Sequence, residues 1–259
     1  MKTIESKQNK FIKWVKKLID DPKYRKENKS FCIEGKKNIE TLTRYISPTY
    51  LIVNDTFLSK NQKNLKKFYG SLILVPNALF NYLSTLKSPE GIMAIFSIQE
   101  NKVEIKKEKN YIALVDVQNP NNLGAIIRSS LAFDIDGIFL INSHVDLFNQ
   151  EVLRSSCGYI YDMPITFYNN FDYFFSEIKT KGISLIATAL TKDSIDLKKM
   201  KKFKSNCFIF GNEGSGLNEK IISKCDNVIK IEMNQKVESL NINVAVAVIA
   251  YYLKINENN

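Results

Sequence analysis

Polar residues suited to chemistry follow the first apolar run in the second half of the chain. Asn122 and Arg128 come shortly after residues 112–117, where a buried strand gives way to a helix. A helix N-cap would explain Asn122. Arg128 is harder to explain, because Ile126 and Ile127 beside it are apolar and a half-buried guanidinium needs an anionic or polar partner. We therefore take Arg128 as a candidate for contact with an anionic ligand.

A second candidate loop is rich in glycine. Residues 210–217 read Phe-Gly-Asn-Glu-Gly-Ser-Gly-Leu and follow another apolar run. Glycines allow the backbone to approach a ligand closely. The lysine of a phosphate-binding loop is missing, and the Glu213 carboxylate would repel phosphate, which disfavours a nucleotide hydrolase. The alternative for Glu213 is a structural role as an acid in the first turn of a helix.

The third candidate loop precedes the most apolar helix of the chain. Ser239, Asn241 and Asn243 crowd the start of residues 243–254, and one cap would be enough for one helix. The apolar and small residues 244–250 suggest tight packing, either in a core or against another subunit.

The elements around these loops predict a parallel sheet covered by helices on both faces. The second half alternates apolar strands with helices, and such strands are typical of parallel sheets. Strands are predicted at 112–117, 137–141, 184–188, 207–210 and 228–231, and helices at 125–133, 150–157, 171–181, 217–225 and 243–254. Ligands bind at the carboxyl ends of such strands, so the three loops should meet there.

The first part of the chain predicts a smaller α/β sandwich. Strands are expected at 31–33, 51–53, 72–75 and 92–98, and helices at 11–18 and around Ile39, Leu65 with Phe68, and Leu79 with Tyr82 and Leu86. Asn77 is a candidate cap of the last helix. The charged stretch 100–110 separates this part, residues 1–99, from a second domain at 111–259.

The net charge of +10 is confined to the first part. Residues 1–109 hold 22 Lys and Arg against 11 Asp and Glu, whereas the remainder holds 15 against 16. An uneven basic excess of this kind favours binding to a nucleic acid backbone. A lysine-rich but merely solvated surface is the alternative.

The rest of the composition excludes several classes of protein. There is no apolar run long enough for a membrane span and no signal-peptide core near Met1, so we expect a cytoplasmic protein. Four cysteines without a C-x-x-C pair and one histidine predict reduced, structural thiols and no zinc site.

Taken together, the three loops resemble the SpoU family of the SPOUT superfamily. Asn122-Leu123-Gly124 with Arg128 resembles its first motif, residues 210–217 its second, and Met233 through Ser239-Leu240-Asn241 its third. Arg154-Ser155-Ser156-Cys157-Gly158 is similar to a further family segment. Glu232, Gln235 and Asp134 depart from the family pattern, where proline, glycine and glycine are usual.

The first domain carries a resemblance of its own. Residues 31–35 (Phe-Cys-Ile-Glu-Gly) and 88–92 (Ser-Pro-Glu-Gly-Ile) are similar to the substrate-binding domain that some SpoU members carry. That domain is similar in fold to a ribosomal RNA-binding protein, which makes it L30e-like. The resemblance therefore implies an RNA-binding module at residues 1–99.

The resemblance implies an RNA ribose 2'-O-methyltransferase that uses S-adenosylmethionine, with 23S ribosomal RNA as the expected target. It implies a deep trefoil knot in the second domain and a homodimer with a shared active site. Gly211, Ile231 and Leu240, with Thr188 and Met233, would bind the cofactor. Arg128, Asn122, Glu213, Ser239 and Asn241 would form the catalytic group, without a metal. Arg128 would act as the proton acceptor or, since a guanidinium stays charged at neutral pH, by stabilising the developing alkoxide.

Several alternatives remain open from sequence. The substrate could be transfer RNA, the methyl group could go to a base nitrogen, or the chain could be a non-catalytic RNA-binding protein on the same fold. Measurement of cofactor binding separates the last alternative from the others.

Overall fold

The computed structural model describes residues 1–65, 70–200 and 204–256, and the chain divides into two compact units. The first unit comprises Met1–Glu100 together with Asp146–Tyr161. The second comprises Asn101–Val145 together with Asp162–Asn259.

The first unit is built on a five-stranded sheet with the order β1-β4-β3-β5-β2. Its strands are β1 (Lys2–Thr3), β2 (Ser30–Glu34), β3 (Tyr50–Asn54), β4 (Leu72–Val75) and β5 (Ile92–Ser97). Strands β1, β4 and β3 pair in parallel, whereas β5 pairs antiparallel with both β3 and β2. Its helices are α1 (Lys10–Asp20), α2 (Pro22–Asn28), α3 (Lys36–Leu42), α4 (Asp55–Leu65) and α5 (Asn77–Leu83).

Residues 146–161 belong to this first unit although they lie far along the chain. They contain α7 (Gln150–Ser155) and a 3-10 turn, Tyr159–Tyr161. Gln150 Nε2 donates to the carbonyl oxygen of Cys32 at 2.6 Å, and the rings of Phe31 and Phe148 lie 4.6 Å apart. Sequence analysis predicted a single boundary at residue 99, and that boundary stays a prediction. We refer to residues 146–161 as the returning segment.

The second unit contains a seven-stranded sheet in which every described pair is parallel, with the order β10-β12-β9-β11-β6-β7-β8. The strands are β6 (Asn110–Val115), β7 (Gly137–Ile141), β8 (Ile165–Tyr168), β9 (Ser184–Thr188), β10 (Ile195–Asp196), β11 (Asn206–Phe210) and β12 (Asn227–Lys230). The helices are α6 (Pro120–Ala132), α8 (Phe171–Thr180), α9 (Glu219–Ile222) and α10 (Ile242–Asn256).

The predicted parallel-sheet α/β architecture is confirmed, with several local corrections. The helix expected at 217–225 is only α9, because Asn218 caps it late and the glycine loop occupies its expected start. Asn77 is not a cap, since it opens α5 after Pro76 and its amide exchanges hydrogen bonds with Thr56. Strand β8 was missed; it is only four residues long, it contains the polar Thr166, and Phe167 in it is exposed. Phe68 lies outside the described residues.

Two of the four cysteines lie in the core, as their apolar surroundings in the sequence predicted. Cys32 and Cys207 are buried and free, and burial raises the pKa of both thiols. Burial, which is the largest cause, and then the nearby Asp226 raise the pKa of Cys225 to about 12. Such thiols are poor nucleophiles and poor metal ligands at neutral pH.

In the described parts of the chain, no helix is long and apolar enough to cross a membrane. The three described segments also contain no cluster of His, Cys, Asp and Glu side chains that could hold a metal ion.

Candidate functional site

Two of the three predicted loops line one cavity of about 560 Å³ in the second unit, together with the residues that follow β9. The cavity lies beyond the carboxyl ends of β9, β11 and β12, the strands that lie side by side in that half of the sheet. Eight of the predicted site residues line it: Thr188, Gly211, Glu213, Ile231, Met233, Ser239, Leu240 and Asn241. The rule that ligand sites in parallel sheets lie at these strand ends thus predicted the edge of the sheet on which the cavity lies, although the loop after β6 does not line it.

The glycine loop folds back on itself, and this explains its composition. A Cβ atom at Gly211 would lie 2.1 Å from the carbonyl carbon of Gly216, so no larger residue fits there. Gly216 has φ +65, in the left-handed region that favours glycine. Asn212 closes the turn: its Oδ1 accepts from the Gly214 N–H at 2.9 Å and its Nδ2 donates to the Asp116 carbonyl at 2.8 Å.

The Asn122 side chain connects all three loops. Its Nδ2 donates to Glu213 Oε1 at 2.8 Å, and its Oδ1 accepts from the side-chain amides of Asn241 and Asn243, both at 3.3 Å. The interpretation of Asn122 as a helix cap is wrong, because α6 begins one turn earlier and Asn119 caps it. Asn122 is therefore a buried polar residue, 6% exposed, whose side chain bonds to residues of the other two loops and the start of α10.

The other predicted residues contribute walls and backbone. Leu240 and Ile231 come from the loop that joins β12 to α10, and Thr188 ends β9. Thr188 Oγ1 donates to the Ile209 carbonyl at 2.9 Å, which fixes β9 against β11. Asn241 Oδ1 accepts from the Asn243 N–H at 2.9 Å, as expected for a residue at the start of α10.

Arg128 lies outside this group in the single chain. It is on α6, where it is exposed and does not line the cavity. The expectation of a half-buried guanidinium is wrong because residues 126 and 127 face the interior while position 128 faces outward on the helix. Its membership of the site thus stays a prediction.

Sequence analysis missed four polar contributors. Asn212 and Asn243 fix loops, and Lys230 and Thr191 line the cavity. Asn243 had been noticed only as surplus to capping, and its partner Asn122 is 121 positions away. No short-range pattern reveals such a pair.

One departure from the family pattern has a structural explanation. Asp134 follows α6 with φ +56, and its position is one where glycine avoids strain. Aspartate tolerates this left-handed conformation better than most residues, so the turn is retained.

Comparison with known proteins gives two matches to families. The sequence model of the SpoU rRNA Methylase family matches residues 109–251. The MRM3-like substrate binding domain matches residues 9–94. Together they extend over most of both units.

Two similar proteins match the chain over different lengths. A Bacillus subtilis protein named 23S rRNA (guanosine(2553)-2'-O)-methyltransferase RlmP is 28% identical over 257 residues, 98% of this chain and 100% of that protein. A Mycoplasma genitalium protein called an uncharacterized tRNA/rRNA methyltransferase is 33% identical over 154 residues, 59% of this chain and 63% of its own length.

A solved structure, an AdoMet-bound rRNA methyltransferase from Sinorhizobium meliloti, has a TM-score of 0.83 at 25% identity. The match covers 97% of this chain and 96% of that one. The SpoU methyltransferase AviRb of Streptomyces viridochromogenes, in complex with AdoMet, has the same fold, with a TM-score of 0.84 at 18% identity over 96% and 99% of the two chains.

Proposed function

Because the chain belongs to the SpoU rRNA methylase family, we propose that it transfers a methyl group from S-adenosylmethionine to a ribose 2'-hydroxyl of 23S ribosomal RNA. One observation carries the proposal: eight predicted site residues from separate loops line a single cavity. The ribosomal target follows the name of the Bacillus subtilis relative, which aligns along its full length.

The cavity suits S-adenosylmethionine in size and chemistry. Its volume of about 560 Å³ lies within the range of small-molecule sites, roughly 300–1,000 Å³. Apolar walls from Leu217, Ile231 and Leu240 suit an adenine ring, and backbone groups of the same loops can bind its polar edge. Glu213 at the rim suits a cationic ligand better than a phosphate. When bound, the cofactor supplies an electrophilic methyl group on a sulfonium sulfur.

The chain's own residues would then orient the acceptor and the loops. Asn122 holds Glu213 and Asn241 in fixed positions, so these two side chains are preorganised at the rim of the cavity. Ser239 lies beside them in the cavity wall and can bind a ribose hydroxyl. Holding reacting groups in line accounts for a large share of catalysis, on the order of 7–11 kcal/mol in favourable cases.

We assign stabilisation of the reacting ribose oxygen, whose proton would leave to solvent water, to Arg128 contributed by a second copy of the chain. Its guanidinium would stabilise the negative charge that develops on the ribose oxygen, since a positive group placed at a developing alkoxide lowers the barrier. Arg128 is exposed on α6, which packs against α10. Its exposed position lets a second copy of the chain approach it.

An apolar row on α10 supports the homodimer. Val244, Val248, Tyr251 and Ile255 are 37–53% exposed and recur at helical spacing, so they form one stripe. An isolated stripe of this kind is typical of a helix that is covered by another subunit. The knot expected in this unit and a cytoplasmic location stay predictions.

Arg128→Ala should abolish methyl transfer while S-adenosylmethionine still binds in calorimetry. Lys181→Ala removes an exposed cation that follows α8 and does not line the cavity, and it is the matched control. Retained turnover in Arg128→Ala would refute the role of this residue.

The function itself is tested by mapping 2'-O-methyl positions in cellular RNA with and without the protein. We expect one 23S ribosomal site to lose its methyl group. Loss confined to transfer RNA would overturn the ribosomal target, and failure of the purified chain to bind S-adenosylmethionine would overturn the activity.

A further inference from the structure

The outer face of α1 carries a row of lysines that the proposed methyl transfer does not use. Lys10, Lys13 and Lys17 are exposed, and their spacing of three and four residues puts them on one side of the helix. In the part of the chain that the structure describes, no ion pair involves any of the three. By contrast, Lys16 on the flank of α1 pairs with Asp20 at 3.2 Å.

Aromatic rings lie beside this row. The ring of Trp14 is 5.6 Å from that of Phe11 and 6.1 Å from that of Tyr50, and all three are half-buried. Trp14 Nε1 donates to Asn28 Oδ1 at 3.2 Å, which fixes the orientation of the indole. Lys17 Nζ lies 5.1 Å from the centre of the Tyr24 ring. Fixed rings among cations are typical of surfaces that bind unpaired nucleotides.

The buried side of α1 argues against a membrane as the partner. Ile12, Val15, Leu18 and Ile19 lie in the core of the first unit with the sheet strands and α5. A helix that lies in a membrane interface needs an apolar face to insert, and this face of α1 is already occupied. The exposed side thus offers charge and aromatic edges but no apolar stripe.

We propose that the α1 face, defined as Lys10, Lys13, Lys17, Trp14 and Phe11, binds an unpaired segment of the substrate RNA. The three ammonium groups contact successive phosphates, and a base packs against the exposed part of the Trp14 indole. This rests on the proposed function, because it assumes that the substrate is RNA. It adds which surface of the first unit holds the RNA and in which form.

The test compares two matched pairs of substitutions in the full chain. Lys10→Gln with Lys13→Gln removes two charges three residues apart on α1. Lys60→Gln with Lys63→Gln removes two charges at the same spacing on the exposed side of α4. Both variants lower the net charge equally, so any difference reports the position of the charges and not their sum.

The probe is a 12-residue oligouridylate, titrated at several salt concentrations. Trp14 is the only tryptophan, so its emission reports binding at α1 directly. We expect the oligonucleotide to quench Trp14 emission in the wild type and in the α4 variant. In the α1 variant the salt exponent should fall by about 1.4, and affinity in 0.1 M salt should fall by roughly 25-fold, as two single-strand phosphate contacts predict.

Equal affinities of the two variants, or binding without any change in Trp14 emission, would overturn the α1 face as the RNA site. Tighter binding to anionic phospholipid vesicles than to the oligonucleotide would overturn it too. None of these results bears on the proposed activity, because S-adenosylmethionine binding is measured separately by calorimetry. Failure of the wild-type protein to bind S-adenosylmethionine would instead refute the proposed function.

Discussion

Truncation of Asn122 should separate the cavity loops and weaken S-adenosylmethionine binding. In Asn122→Ala, three hydrogen bonds disappear at once: those to Glu213, Asn241 and Asn243. The helix itself should survive, because Asn119 and not Asn122 caps α6. The substitution therefore affects the order of the loops much more than the fold.

The magnitude follows from the three bonds. The bond to the Glu213 carboxylate, at 2.8 Å, belongs to the class worth about 1.5–3 kcal/mol, whereas each 3.3 Å amide contact belongs to the class worth about 0.5–1.5 kcal/mol. Glu213 and Asn241 are exposed, so water replaces part of what is lost. We therefore expect the free energy of S-adenosylmethionine binding to weaken by about 2 kcal/mol. At 1.4 kcal/mol per factor of ten, this is roughly a 30-fold loss of affinity.

Calorimetry of S-adenosylmethionine binding measures this loss. Gln118→Ala removes an exposed amide from the same loop and should leave the affinity unchanged. A double-mutant cycle with Glu213→Ala isolates the pair, and we expect a coupling energy of at least about 1 kcal/mol, well above the 0.3–0.5 kcal/mol scatter of independent sites. Affinity within twofold of wild type in Asn122→Ala, or strictly additive effects, would refute the idea that Asn122 holds the loops together.

Three further predictions concern stability and assembly. Arg25→Ala breaks the buried ion pair with Asp146 and should lower the free energy of unfolding by about 3 kcal/mol. This value is at the lower end for buried pairs because the Asp146 side chain is 24% exposed. Urea unfolding measures the loss, with Lys26→Ala on the same helix as the control. Burial raises the pKa of Glu34, so the folded state holds that proton more tightly and stability should fall as pH rises from about 4.3, the ordinary glutamate value. In Glu34→Gln, the free energy of unfolding measured in urea should depend less on pH above that value. An unchanged pH dependence would contradict the attribution to Glu34. Val248→Asp should turn the expected dimer into a monomer in sedimentation experiments, while persistence of the dimer would exclude the α10 stripe as the interface.

Much of the second unit could be predicted because its signals are local. Apolar runs such as 137–141 and 207–210 are long enough to identify strands, and parallel strands bring their following loops to one edge. That rule predicted that the loops after β11 and β12 would meet, and the resemblance to the SpoU family singled out Gly211, Ile231 and Leu240, which all line the cavity.

The polar contacts inside the site could not be predicted in the same way. The bond between Asn122 and Glu213 joins residues 91 positions apart, and the cap interpretation of Asn122 was locally just as consistent with the sequence. Only the observed start of α6, about one turn before Asn122, rules out the cap interpretation. The exposure of Arg128 could not be predicted either, since the apolar residues beside it in sequence face inward while its own side chain faces outward.

The returning segment affects how an experiment that deletes the first part of the chain has to be interpreted. Val152 and Leu153 are buried, and Asp146 and Gln150 bond to Arg25 and Cys32 of the first unit. Sequence patterns of residues 146–161 suit a helix in either unit, because an amphipathic face does not identify its partner. A chain shortened to start at residue 101 would leave these apolar residues without their core and the Asp146 carboxylate without its cation. Loss of RNA binding after such a deletion would therefore combine a missing surface with a damaged fold. Point substitutions on the α1 face, in the full chain, separate the two effects.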